Sequence, residues 1–229
     1  MADDLGEALA RAARTLHASS SLEDTLQTIA DTAKDSLPGF DAVGISTIAK
    51  DGTVTTHAAT SDLVWELDQL QYRLGQGPCV DSLHESTQVL APNIADDDRW
   101  PDFVPQAIEL GLKSQLALKL YVDDKGTLGG LNIYSTTTEE IDDGAVSMAT
   151  LFAAHAATAM GNASEVEHLH EALSTRTVIG VAVGMLMEQY TLSQDAAFGL
   201  MVRSSSYSNI KLRDIARRMV DEANARAVR

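Results

Sequence analysis

QLALKLYVDDKGTLGGLNIYS, residues 115–135, decides how this chain is read. QLALKLYVD (115–123) and TLGGLNIYS (127–135) are strand-like, and Asp124-Lys125-Gly126 between them is turn chemistry, so the stretch reads as a β-hairpin. A second hairpin lies upstream. There DAVGISTIA (41–49) and TVTTHAAT (53–60) flank Lys50-Asp51-Gly52, with a period of two replacing a helical one. Between the hairpins, a helix-like stretch around 61–72 leads into the loop LGQGPCVDSL (74–83). TQVLAPN (87–93) follows as a short strand, and DRWPDFVPQAIELGL (98–112) opens with prolines and becomes a helix ending at Gly111. Before the first hairpin the chain reads as two helices. The second starts behind Ser21, carries Leu22, Leu26, Ile29, Ala30 and Ala33 on one face, and stops at Leu37-Pro38-Gly39. After the last strand, TTTEEIDDG (136–144) introduces a long helix. This order predicts an α+β domain, an antiparallel sheet with helices to one side.

Composition narrows the class. The 229 residues suffice for one large domain or two modest ones with proper cores. One cysteine, Cys79, leaves no intramolecular disulfide framework and no cysteine metal cage. No apolar run approaches the roughly 18 residues that span a bilayer, and the acidic start MADDLGEALARAARTL is unlike a secretory signal. A cytoplasmic protein without a membrane contact is the expectation.

Charge is unevenly spread. Residues 1–162 hold 9 Lys/Arg against 25 Asp/Glu, the whole of the net −16, whereas residues 163–229 hold 8 of each. Within that tail, residues 203–229 carry +4 through Arg203, Lys211, Arg213, Arg217, Arg218, Arg226 and Arg229 against three acids. A basic tail on an acidic body is the footprint of a polyanion-binding segment. The alternative is a solvated helix face with snorkelling arginines.

From 145 onward, Ala145, Met148, Phe152, His155, Ala159, Asn162, Val166, Leu169 and Leu173 alternate steps of three and four, a heptad seam. The earlier half can pack on its own sheet. The later half predicts a parallel homodimer through the 142–173 helix, with Asn162 setting register and Gly161 as a possible hinge. Three helical patterns follow. TRTVIGVAVGMLMEQY (175–190) is apolar on several sides, with Gly180 and Gly184 leaving a slim surface. TLSQDAAFGLMVRSSS (191–206) offers Ser193 as cap and Ala197, Leu200, Met201 and Ser204 as its packing face. Ser208 is read as the cap of a third helix with Leu212, Ile215, Ala216, Met219 and Val220 on its stripe.

Two resemblances follow from these residues. LGQGPCVDSL, IADDDRWPDF and the strand GLNIYS resemble GAF domains of actinobacterial regulators, over roughly residues 20–160, within the GAF/PAS class of sensor folds. TRTVIGVAVGMLMEQY and DAAFGLMVRSSSYSNIKLRDIARRMV resemble the ANTAR domain, over about residues 165–225. The expected organisation is a GAF-like sensor at 1–160, a linking coiled-coil helix at 161–173, and an all-α three-helix ANTAR domain at 174–229. What the ANTAR resemblance implies is a signal-responsive, RNA-binding regulator. It would bind paired stem-loops in nascent leader transcripts and prevent an overlapping terminator from forming. The family pattern falls, among other positions, on Arg176, Ala182, Gly184, Met187, Arg203, Ser204, Asn209 and Lys211. One departure is Val183, where many relatives carry a lysine; a phosphate contact is thereby expected to be missing.

The residue chemistry agrees. Folded RNA presents phosphates and unstacked bases. Arg203, Lys211 and Arg213 suit phosphate, Ser204, Ser205 and Asn209 suit base edges, and Tyr207 suits stacking on a base. Ala182 and Gly184 would admit a close backbone. Each has a packing alternative: Ala182 and Gly184 in helix packing, Asn209 in fixing the turn, Tyr207 lying over it. In the sensor, Cys79 is a candidate contact for an unknown small-molecule ligand, or simply a small buried hydrophobe. His168 and His170 point to different helix sides, and Asp96-Asp97-Asp98 reads as a solvated loop, so neither metal nor other cofactor is expected. No nucleophile elbow, phosphate loop or zinc-protease motif occurs, and no enzyme is expected. The rival to RNA binding is a sensor and protein-interaction module that regulates a partner protein, docking it on the apolar first helix.

Overall fold

A computed structural model describes residues 21–49, 51–122 and 126–227. The first of the two expected N-terminal helices and the turn at Asp124-Lys125 lie outside the described residues. The chain divides into two compact units, 1–163 and 164–229.

In the first unit, helix α1 (Leu22–Ser36) begins where Ser21 accepts the Asp24 amide at 3.1 Å, and it buries Leu26, Ile29, Ala30 and Ala33. Strands β1 (Ala42–Ile48) and β2 (Val54–Ala59) form the first hairpin. Helices α2 (Asp62–Leu74) and α3 (Pro78–His84) lead to β3 (Gln88–Ala91). Helix α4 (Phe103–Glu109) precedes the second hairpin, β4 (Ser114–Val122) and β5 (Gly126–Ser135). The five strands pair antiparallel throughout in the order β2-β1-β5-β4-β3.

Helices cover both faces of this sheet, not one. On one side Leu116, Leu118, Leu120, Leu131 and Ile133 pack with α1 and with Ala149, Phe152 and Ala156 of a long helix. On the other, Ala117 and Tyr134 pack with Val64 and Leu67 of α2, Phe103 and Val104 of α4, and Trp100. The reason lies in β4 and β5. Their alternate residues Gln115, Ala117, Asn132 and Tyr134 are as fully buried as the leucines, so neither face is left to water. The stretch 74–83 is likewise not an open loop. Gly75, in the left-handed region at φ 64, ends α2, and Pro78 opens α3.

The long helix α5 runs from Asp143 to Tyr190, 48 residues, with Asp142 accepting the Ala145 amide at 2.8 Å. The heptad seam and TRTVIGVAVGMLMEQY, separate in the sequence reading, are therefore one helix, and it passes Gly161 without a break. A single interior glycine costs only about 1 kcal/mol relative to alanine, which a helix packed over this length absorbs. Up to Ala159 the seam serves the sensor's own core, with Ala145 and Phe152 buried and Met148 and Ala159 packed at its edge, whereas Asn162 is exposed. Beyond it Val166, Leu169 and Leu173 are 53%, 59% and 61% exposed.

The second unit adds α6 (Gln194–Ser208) and α7 (Leu212–Ala227). Its core is small: Ala182, Val183 and Leu186 of α5, Ala197 and Met201 of α6, and Ala216 of α7. Leu212, Met219 and Val220 pack on its edge, as the spacing of the third helix predicts. Leu200 and Ser204, expected on the packing face of α6, are exposed instead. Methionine and alanine at 201 and 197 already fill the contact with α5.

Candidate nucleic-acid interface

The corner between α6 and α7 is built by hydrogen bonds from its serines. Asn209 ends α6 in the left-handed region, φ 54 and ψ 32, a conformation that asparagine tolerates better than most residues. Ser205 donates to the Ile210 carbonyl at 2.6 Å and Ser208 to the Ser204 carbonyl at 2.7 Å. Ser208 thus closes the second helix and does not cap the third. The third starts later, where the Lys211 carbonyl accepts the Asp214 and Ile215 amides.

This closed corner presents polar and basic side chains to solvent. Arg203, Ser204, Asn209 and Lys211 are exposed. Arg203 and Lys211 have no carboxylate partner among the described residues, whereas Arg213 stands 3.8 Å from Asp214. Tyr207 is 96% exposed, so it does not lie over the turn as the sequence reading had it. A tyrosine held in open water between an arginine four residues before it and a lysine four after it suits base stacking as well as phosphate contact.

The remaining candidates separate. Ala182 is fully buried against α6 and α7 and cannot reach RNA in this fold; its small side chain serves core packing. Val183 is 6% exposed in the same core. Val183 also borders the groove between α5 and α6, so the charge that a lysine would bring there is absent. Arg176 and Gly184 are exposed, and with Met187 they border a groove of about 410 Å³ between α5 and α6. Phe198, 44% exposed, forms part of its α6 wall. The ANTAR pattern falls on Phe198 as well; on α6 it flanks the buried pair Ala197 and Met201.

Inside the sensor, Cys79 belongs to a closed polar core. Asp68 of α2 is fully buried and accepts hydrogen bonds from Thr56 at 2.6 Å, Asn132 at 3.1 Å and the Tyr134 hydroxyl. Asn132 also donates to the Cys79 sulfur at 3.1 Å, and Gln71 accepts the Cys79 amide at 2.9 Å. Burial, then the Asp68 carboxylate, pushes the thiol up to about 12, which holds it protonated and unreactive. Two acceptors in this core, Gln115 Oε1 and Asn132 Oδ1, have no hydrogen-bond partner among the described residues. The sequence reading missed the cluster, although two polar residues three apart, Asp68 and Gln71, on the buried face of α2 were its trace. An open groove in this unit lies elsewhere, about 440 Å³ between β4 and α5, where Lys119, Tyr121, Thr150 and Thr158 line it and Cys79 does not.

Burial raises Asp68 to about 6, against the hydrogen bonds of Thr56, Tyr134 and Asn132, which lower it. A carboxyl that binds its proton more tightly folded than unfolded contributes stability below its unfolded value of about 4 and loses it as pH rises through about 6. The expected result is an unfolding free energy that falls between about pH 4 and 6.5 more steeply for the native chain than for Asp68→Asn, by about 2–3 kcal/mol over that window. Parallel curves of unfolding free energy against pH for the two proteins would refute the assignment.

The fold and its surface define a class: a sensor-type sheet domain in one chain with a helical bundle that presents Arg203 and Lys211, without a carboxylate partner among the described residues. Among known proteins, the profile of the GAF domain matches residues 19–161 and that of the ANTAR domain residues 167–220. The chain belongs to the GAF domain family and carries an ANTAR domain behind it, the arrangement of a GAF–ANTAR regulator. These domains make it an RNA-binding antitermination regulator with a sensor domain. No curated protein sequence matches the chain. Among solved structures, it is similar to the GAF domain from an Acinetobacter phosphoenolpyruvate-protein phosphotransferase, at 16% identity and a TM-score of 0.57, over 72% of this chain and 97% of that one. The phycoerythrobilin-bound GAF domain from a cyanobacterial phytochrome gives 16% and 0.54, over 72% and 97%. The type II free methionine-R-sulfoxide reductase from Thermoplasma acidophilum gives 16% and 0.51, over 62% and 96%. Such identities speak for the fold alone. No helix among the described residues is long and apolar enough to cross a membrane.

Proposed function

We propose that this protein binds paired stem-loops in nascent leader transcripts and so lets the polymerase read past an overlapping terminator. In this reading it is a cytoplasmic, non-enzymatic regulator switched by a signal at its GAF domain. The observation that carries it is the α6–α7 corner, where Arg203 and Lys211, without a carboxylate partner among the described residues, flank the exposed Tyr207. Around an otherwise acidic protein this corner offers RNA both phosphate and stacking contacts. A gel-shift with a two-hairpin RNA tests it. Binding that is stronger than to unrelated RNA at moderate salt supports the reading, and equal, weak binding to both overturns it.

Two hairpins call for two bundles, and the exposed Val166, Leu169 and Leu173 supply the means to bring them together. Burying three such side chains in a parallel seam is worth about 1.5–3 kcal/mol each. A signal in the sensor would then shift the population of dimer arrangements. Leu169→Glu with Leu173→Glu should turn a dimer into a monomer in sedimentation equilibrium, with the melting of both units retained. A dimer that survives both charges would place the interface elsewhere.

A further inference from the structure

We infer that Asp68 is a proton-binding site of the sensor, and that taking up or releasing this proton resets the hydrogen bonds that hold α2 and α3 to the sheet. This role does not depend on RNA binding. The carboxylate and its surroundings are mismatched. Asp68 is fully buried, and the groups that bond to it are neutral: the hydroxyls of Thr56 on β2 and Tyr134 on β5, and the side-chain amide of Asn132. From β1, Gly44 comes so near that a Cβ there would stand 3.4 Å from the carboxylate, and α4 turns Phe103, Val104 and Ala107 inward. The titratable neighbours are Tyr72, Cys79 and Tyr134, each held protonated by burial and then by the Asp68 charge itself. No cation pairs with Asp68 among the described residues. A carboxylate taken out of water without a cation is relieved most directly by a proton.

Asn132 supplies the second observation. Its Nδ2 donates to Asp68 Oδ1 and to the Cys79 sulfur, both at 3.1 Å, while its buried Oδ1 has no partner among the described residues. That arrangement suits a carboxylate, which can only accept. Once protonated, Asp68 becomes a donor. Turning the Asn132 amide over then puts Oδ1 where Nδ2 stood, within reach of the Asp68 hydroxyl and the Cys79 thiol, both of which can donate to it. Each arrangement gives the amide two bonds, and the proton selects between them. Asn132 alternates along β5 with Leu131 and Ile133, which pack through the other face of the sheet against Ala149, Phe152 and Ala156 of α5. The amide is therefore one strand away from the long helix. The affinity fits such a switch, because burial lifts Asp68 to about 6. A folded value above the ordinary one means that the sensor is held most tightly at low pH and loosens as pH rises through about 6.

The test uses the full-length protein and two readouts. Carbon-13 NMR of the aspartate carboxyls should show one group titrating near pH 6 in the native chain and missing from Asp68→Asn. Thr56→Val, nearly isosteric, removes a donor to the carboxylate and should raise its proton affinity about tenfold. Hydrogen exchange, corrected for its intrinsic rate, should show the opening of α2, β5 and the α5 turns above them growing roughly tenfold from about pH 5 to 7.5 in the native chain. That factor follows from a rise from 3.8 to about 6, and Asp68→Asn should lack it. The site is overturned if no carboxyl titrates above about pH 5. The switch is overturned if exchange in Asp68→Asn responds to pH as the native chain does, or if the response stays within α2 and leaves β5 and α5 unmoved. Should Asp68→Asn fail to fold, the native and Thr56→Val titrations still decide, since coincident midpoints would contradict the assigned contact. Neither readout involves RNA, so failure of hairpin binding and failure of the proton site are told apart.

Discussion

Replacing Arg203, Lys211 and Arg213 together by glutamine should lower the affinity for a two-hairpin RNA by roughly 100-fold at moderate salt. Each lost cationic contact is worth on the order of 1 kcal/mol, and three of them approach two decades in Kd. The effect is not a folding effect. Arg203 and Lys211 are exposed at the ends of α6 and α7, and neither contributes to the core formed by Ala182, Leu186, Ala197, Met201 and Ala216. The salt dependence gives an independent reading, since each phosphate contact removed flattens the slope of log affinity against log salt by about 1. Arg213 should contribute least of the three, because Asp214 stands 3.8 Å away and already offsets its charge. A triple variant with native affinity and native salt slope would mean that these cations only keep the bundle soluble.

The second large effect is on stability, in the sensor. Gly129 of β5 pairs with Thr47 of β1, and a Cβ there would stand 1.8 Å from the Ser46 carbonyl oxygen. The obstacle is the β1 backbone at Ser46 and Thr47, so no side-chain rotation relieves it. β1 and β5 are adjacent central strands, and pushing them apart breaks ladder hydrogen bonds in the middle of the sheet. Gly129→Ala should therefore destabilise the sensor by about 3 kcal/mol or more, a fall of roughly 6–12 °C in its melting temperature. Gly52, which sits in the turn with nothing within 4 Å, is the control for crowding. Its φ of 87 makes alanine there mildly costly through backbone strain alone. A Gly129→Ala protein that melts within about 2 °C of the native chain would contradict the strand pairing.

Most of the fold was legible because hydrophobic period and turn residues agree along the sensor. The two hairpins, the Ser21-capped helix and the third-helix stripe at Leu212, Ala216, Met219 and Val220 all stand where their spacing put them. What the sequence concealed was the second helical layer. Gln115, Asn132 and Asp68 look like solvent-facing residues, and only their mutual hydrogen bonding through Gln71, Tyr134 and Cys79 lets them sit inside. Polar residues that bond to one another inside leave only a faint trace in an apolar pattern, here Asp68 and Gln71 three apart on α2. The interface was half legible. Types and positions singled out Arg203, Ser204, Asn209 and Lys211, and all four face solvent. Ala182 was misplaced because a small residue in a helix reads alike as a close-approach surface and as core. Tyr207 and Ser208 were misread for a different reason. Where a helix ends is decided by one left-handed residue, here Asn209, and a shift of that end by three residues moves a ring from cover to open water.

The most direct test of RNA binding through the second unit is to crosslink the protein to RNA in cells, sequence what is bound, and map the crosslinked peptides. The account predicts leader segments able to fold as paired stem-loops, with crosslinks between Arg176 and Arg213. Recovery of no RNA above background, or crosslinks confined to residues 21–163, would contradict it.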